Sequence, residues 1–166
     1  DDTYYLSYPV ADKANILAVD QGERTRYLKA AYETDDYFQL PNRQQGNLQY
    51  NTLHRSHLII LDQLSSPSSG LVSELASYTE AGGNVLLLPP GEASDQAAKP
   101  YQQFLSQVQA NRYDGVRNKA QAISQVQLEH PLFRDVFSEV PDDVRYPKVE
   151  RAYKQTSYTA AGGRSL

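Results

Sequence analysis

The stretch Leu71-Val72-Ser73-Glu74-Leu75-Ala76-Ser77-Tyr78-Thr79-Glu80-Ala81-Gly82-Gly83-Asn84-Val85-Leu86-Leu87-Leu88-Pro89 changes periodicity halfway along. Leu71, Val72, Leu75, Tyr78 and Thr79 recur at helical spacing, and Gly82-Gly83 then reads as a helix stop. Asn84 to Leu88 is a continuous apolar run that ends in Pro89-Pro90-Gly91. Continuous rather than alternating apolar character implies a strand covered on both faces, the mark of a parallel sheet. Two earlier segments repeat it. Asn15-Ile16-Leu17-Ala18-Val19 ends in Asp20-Gln21-Gly22, and His57-Leu58-Ile59-Ile60-Leu61 ends in Asp62-Gln63. All three are expected to be central strands.

Helical stripes separate them. Tyr27, Leu28, Ala31 and Tyr32 follow the first run. After the third, Pro100 suits a first helical turn, with Tyr101, Phe104, Leu105 and Val108 at i, i+3, i+4 and i+7 spacing. The order is strand, helix, strand, helix, strand, helix. With right-handed crossovers it predicts a three-layer α/β/α sandwich of the doubly wound type, its central sheet mainly parallel. Elsewhere, Phe38-Gln39-Leu40 is expected as a short edge strand and residues 41–51 as a polar loop. Residues 122–128 alternate, and residues 149–156 read as a further strand.

Composition sets the limits. The chain has 166 residues, no Cys, no Met, 13 Tyr and a formal net charge of −4. Without cysteine there is no disulfide, no thiolate nucleophile and no cysteine-ligated metal. The acidic balance argues against nucleic acid, whose phosphates demand clustered Lys and Arg. No apolar run approaches the roughly 20 residues that cross a bilayer, so this piece does not itself span a membrane. The absence of Met and the turn signal Ala160-Ala161-Gly162-Gly163 near the end suggest a piece cut from a larger protein. The expected layout is a lead-in strand in residues 1–12, an α/β domain over 13–156 and a truncated continuation over 157–166.

In an open parallel sheet, ligands bind beyond the carboxyl ends of the strands. The crevice residues there would be Asp20, Gln21, Gly22, Asp62, Gln63, Pro89, Pro90, Gly91 and Glu92. The plainer reading of the same residues is that they turn the chain and cap the next helix. Gly82-Gly83 follows a helix and precedes a strand, the reverse of a dinucleotide fingerprint, and no P-loop motif exists. Histidine occurs only at His54, His57 and His130, and no nucleophile elbow is present; Ser65, Ser66 and Ser94 lie near expected strand ends, but Ser65-Ser66-Pro67-Ser68-Ser69 reads as a loop and helix cap. His54 and His57 are spaced i, i+3, but the second opens a strand, so they read as polar residues at a strand entrance rather than metal ligands. Neither a cofactor nor a metal site is expected. The tyrosines are expected at core margins or interfaces, with Tyr4, Tyr5 and Tyr8 candidates for packing on a neighbouring domain.

The runs 15–20 and 57–62, and above all Leu71 to Pro89, resemble the class I glutamine amidotransferase-like (flavodoxin-like) fold. With Tyr4-Tyr5-Leu6-Ser7-Tyr8 and Glu129-His130-Pro131-Leu132-Phe133-Arg134-Asp135-Val136-Phe137, the likeness narrows to the soluble region of BatA-type (aerotolerance regulator N-terminal) membrane-anchored proteins, often associated with a von Willebrand A-like domain. The resemblance implies a domain on the extracytoplasmic side of the envelope. Amidotransferases of this class use a Cys on a tight turn after a strand; the corresponding position here is Pro89-Pro90-Gly91-Glu92, which has no thiol. The resemblance therefore implies a pseudo-enzyme that contacts a protein partner or other domains of its own parent chain. The alternative is a hydrolase or small-ligand module that uses Asp20, Asp62 and Glu92 in the crevice. Catalysis would require these carboxylates to converge on one reacting atom; a contact domain would leave them apart or engaged in capping.

Overall fold

The computed structural model describes residues 13–21, 26–91, 95–124, 126, 128 and 146–156. The chain forms two compact units, Asp1–Pro90 and Gly91–Leu166.

The first unit is built on β1 (Ala14–Asp20), α1 (Arg26–Tyr32), β2 (Phe38–Gln39), β3 (Asn42–Gln44), β4 (Leu58–Asp62), α2 (Ser69–Glu80) and β5 (Asn84–Leu88). Its strands are all parallel and run β2-β1-β4-β5, with β3 also on β1. Parallel pairing needs crossovers, and α1 and α2 supply them. Ile16, Ala18 and Ile60 form one buried face with Leu28 of α1, against which Tyr32, Phe38, Leu40, Leu58 and Leu88 pack. Leu17, Val19, Ile59 and Leu61 alternate with these and are buried too, so β1 and β4 are covered on both faces as expected.

Three expectations need correction here. The α1 stripe is narrower than expected: Leu28 and Tyr32 face the core, while Tyr27 and Ala31 are exposed. Arg26 stands over the Tyr27 ring at 4.9 Å, which gives that ring a polar partner in place of the core. Among the described residues β5 stands last in the sheet order rather than inside it, and its Leu86 is 40% exposed. Residues 41–51 are not a loop throughout, because β3 pairs with β1 from Ala18↔Asn42 to Asp20↔Gln44, and 3-10 turns follow at Gln45–Asn47 and Tyr50–Arg55. β2 and β3 lie along β1 in succession, interrupted at Leu40-Pro41, where proline has no N–H to donate. Polar Asn42-Arg43-Gln44 carries no apolar signal, because a half-exposed edge strand needs none.

α2 matches its pattern, with Leu71, Val72, Leu75, Ala76 and Tyr78 buried. Ser68 caps it by accepting the Leu71 N–H at 3.3 Å. Ser68→Ala should lower unit stability by about 1 kcal/mol, the usual value of such a cap, in a urea melt.

The second unit contains α3 (Asp95–Gln107), β6 (Arg112–Arg117), β7 (Gln121–Ala122), β8 (Lys148–Val149) and β9 (Ala152–Thr156). α3 begins earlier than expected and holds Pro100 in its interior. The helix runs from Asp95, six residues before Tyr101, where the expected stripe begins. Tyr101, Phe104 and Leu105 are buried, and Tyr101 meets Tyr113 of β6 edge-on. β6 pairs antiparallel with β9, and β7 with β8. β6 has no forecast in the sequence: Arg112 and Asp114 are exposed, Gly115 has φ 76°, and an irregularity between Tyr113 and Val116 breaks its alternation. The expected strand at 149–156 is divided between β8 and β9, and among the described residues of the alternating stretch 122–128 a strand forms at Ala122 alone. Residues 1–12, Gly22, Glu92, Ser94, His130 and residues 157–166 lie outside the described residues.

Candidate functional site

β1 and β4 are in register from Ile16↔Leu58 to Val19↔Leu61, which sets Asp20 and Asp62 side by side at the carboxyl ends of the two strands. Strand alternation directs both toward the face of Ala18 and Ile60. Both are occluded, at 1% and 2% exposure. A carboxylate removed from water requires hydrogen bonds. For Asp20 one comes from β3, where Asn42 Nδ2 donates to Oδ2 at 2.8 Å. That bond also orients the Asn42 amide, since the flipped form would oppose two acceptors.

Around this pair the strand-end side chains bond to one another. Gln21 Nε2 donates to Ser65 Oγ at 2.5 Å. Gln45 Nε2 donates to the Ser66 carbonyl at 3.2 Å, and its Oε1 accepts the Ser68 N–H at 2.9 Å. The segments that leave β1, β3 and β4 are thereby laced to the first turn of α2. Gln63 is exposed and sits in the left-handed region at φ 53°, its N–H donating to the Leu88 carbonyl at 2.8 Å. Of the remaining expected crevice residues, Pro90 is half-buried and Gly91 exposed, with open space where a Cβ would stand.

The structure thus brings Asp20 and Asp62 together with Gln21 and Gln63 flanking them. It adds Asn42 and Gln45, which sequence reading missed, and joins to them Ser68, which belongs to the run 65–69 expected as loop and helix cap. No residue-type signal marks Asn42 or Gln45, which lie in a polar run and reach the site only because β3 aligns with β1. A cavity of about 200 Å³ elsewhere in this unit is lined by Asn15, Leu17, Pro41, Arg43, Thr52 and Arg55, none of them strand-end residues. His57 bridges strand entrances: its Nδ1 accepts the Asn15 N–H at 3.0 Å and its N–H donates to the Asn15 carbonyl at 2.8 Å. His54 lies 3.8 Å from Glu74 and edge-on to the Tyr78 ring. Among the described residues no cluster of three or more His, Asp or Glu is placed to hold a metal ion.

A crystal structure of a ThuA-like protein from Bacteroides uniformis is similar to this chain, with a TM-score of 0.59 at 14% identity, covering 96% of this chain and 69% of that one. ThuA-like proteins have the glutamine amidotransferase-like fold, and the likeness, together with the mainly parallel sheet and its helices, defines this chain as an α/β sandwich of that type. No protein-family model matches the chain, nor does any curated protein. Among the described residues no helix is long and apolar enough to cross a membrane.

Proposed function

We propose that this chain is a non-catalytic amidotransferase-like domain of a larger membrane-anchored envelope protein of the BatA type, held on the extracytoplasmic side and used for protein-protein contact or assembly. One observation carries the non-catalytic part. Asp20 and Asp62 are occluded, and among the described residues Gln21, Asn42 and Gln45 direct side-chain bonds to Ser65, Asp20, Ser66 and Ser68. The amidotransferase reaction needs a thiolate, and the chain has no Cys. The BatA-type parent rests on the sequence resemblance alone, and the partner is a protein, whether a separate chain or another domain of the parent.

A second reading keeps the strand ends as a small-ligand or hydrolytic site. Asn42 Oδ1 favours it, because this buried acceptor receives no hydrogen bond among the described residues and a ligand donor beside Asp20 would complete it.

The two readings separate in one experiment. The purified chain, Asp20→Asn and Asp62→Asn are assayed for ammonia release from L-glutamine and for hydrolysis of p-nitrophenyl acetate, alongside thermal melting. The contact reading expects background rates in all three proteins, with Asp20→Asn lowering the melting temperature by several degrees through the loss of its acceptor for the Asn42 amide. Turnover that falls at least tenfold in either variant while the fold persists would sink it.

A further inference from the structure

In the second unit the β6–β9 and β7–β8 ladders are two stretches of one antiparallel ribbon. The first reaches Arg117↔Ala152 and the second starts at Gln121↔Val149. Between them residues 118–120 stand against residues 150–151, so the strands part as they do at a bulge. A cleft of about 300 Å³ opens at this break, its lining including Arg117, Lys119, Gln121, Ile123, Val149 and Ala152.

The lining has two characters. Arg117 and Lys119 bring two cations to it, and no described carboxylate lines it. Arg117 Nη1 donates to the Gln121 side-chain oxygen, a neutral partner that orients the guanidinium without cancelling its charge. Lys119 makes no ion pair among the described residues. Beside the polar Gln121 and Ser124 the lining holds Ala122, Ile123, Val149 and Ala152, and Val149 is 37% exposed although it is a large aliphatic side chain. The charge is also local: residues 112–124 and 146–156 hold six Lys or Arg against two Asp or Glu, in a chain whose net charge is −4.

Cations beside an exposed apolar floor suit an anion attached to an apolar chain, because the same ligand neutralises the one and covers the other. We propose that this cleft captures the C-terminal carboxylate of a protein partner whose last residues are apolar. Arg117 and Lys119 donate to the carboxylate, and the terminal side chains cover Ile123, Val149 and Ala152. The volume lies at the small end of ligand sites, which fits a chain terminus better than an internal segment. An extended peptide also matches a place where the ladder of the ribbon is interrupted, and capture of a chain terminus is an established mode of peptide recognition. The inference rests on the protein-contact reading above and gives it a surface and a partner chemistry.

The test uses the 166-residue chain and two pools of fluorescein-labelled hexapeptides, randomised over Ala, Val, Leu and Phe at the last three positions. One pool ends in a free carboxylate and the other in an amide. By fluorescence polarisation the free-acid pool is expected to bind at least tenfold more tightly, and Arg117→Gln with Lys119→Gln to abolish the difference. Both side chains are exposed, so the double variant should keep the wild-type melting temperature; Val149→Ser serves as a second variant and should weaken the free-acid pool several-fold. Equal binding of the two pools, binding of neither, or a preference that survives the double substitution overturns the proposal. So does saturable binding of sodium decanoate at this cleft without binding of the peptides, which would assign it to free acyl acids. A negative result here leaves the glutamine and ester assays unaffected, so the two failures are distinguishable.

Discussion

Gly83→Ala is expected to lower the stability of the first unit by about 3 kcal/mol, near the top of the range for forcing extra volume into a packed site. A Cβ built on Gly83 would stand 2.3 Å from Cε1 and Cζ of Tyr78 and 2.5 Å from Cε2, far inside the contact distance of carbon atoms. The ring has little freedom to withdraw. Tyr78 is 4% exposed, and its hydroxyl donates to the Ser56 carbonyl at 2.9 Å. Burial pushes that hydroxyl above its ordinary pKa of 10.0, and a backbone hydrogen bond from Asn84 brings it part of the way back. Moving the ring would uncover the core under α2 and break a partly buried hydrogen bond.

The neighbouring glycine is the internal control. Gly82 has φ 91° and nothing within 4 Å of a built Cβ, so Gly82→Ala meets backbone strain alone, about 1 kcal/mol. Its role is to end α2. The Gly83 N–H donates to the Tyr78 carbonyl at 2.9 Å and the Gly82 N–H to the Thr79 carbonyl at 3.0 Å, the paired bonds of a Schellman stop. Urea melts of the two variants check the ordering by the shift of the midpoint at constant slope. A larger loss for Gly82→Ala than for Gly83→Ala would refute this account of the pair, which assigns both glycines to helix termination and ring packing.

Ile60→Ala should cost about 4 kcal/mol, within the range for truncating a fully buried aliphatic side chain. Ile60 is 0% exposed and forms a buried cluster with Ile16, Ala18 and Leu28, so its removal takes away transfer energy and leaves a cavity that two strands and a helix cannot collapse around. Against the 5–15 kcal/mol typical of whole domains, this is a large fraction. Leu86 is the register partner of Ile60 on β5 and faces the same side of the sheet, yet it is 40% exposed. Leu86→Ala should therefore cost less than about 1 kcal/mol. A similar loss at both positions in denaturant unfolding would mean that burial does not separate them.

Those two residues illustrate what the sequence conveyed and what it did not. Ile60 and Leu86 sit in equivalent apolar runs, and nothing in either run distinguishes a central strand from the last one in the sheet order. The candidate site divides in the same way. Asp20 and Asp62 were legible, because they end apolar runs and the ends of parallel strands are where side chains gather. Their occlusion, and the engagement of Gln21 with Ser65 and of Gln45 with Ser66 and Ser68, were not, since those bonds join residues 21 to 44 positions apart.

By itself, then, the amino-acid order determined the two covered strands β1 and β4, the span of α2 with its glycine stop, the alternation of strands and helices, and the lack of a thiol. These are properties of composition or of neighbouring residues, and periodicity reports them because each depends on the faces one short segment must bury. Tertiary structure alone decided that polar Asn42-Arg43-Gln44 extends the sheet, that Leu86 remains exposed, that Arg112 to Arg117 forms a strand, and that Arg117 and Lys119 share a cleft with Val149. Each of those outcomes depends on which distant segment comes alongside, and that is settled by chain closure and mutual packing, which leave no local pattern.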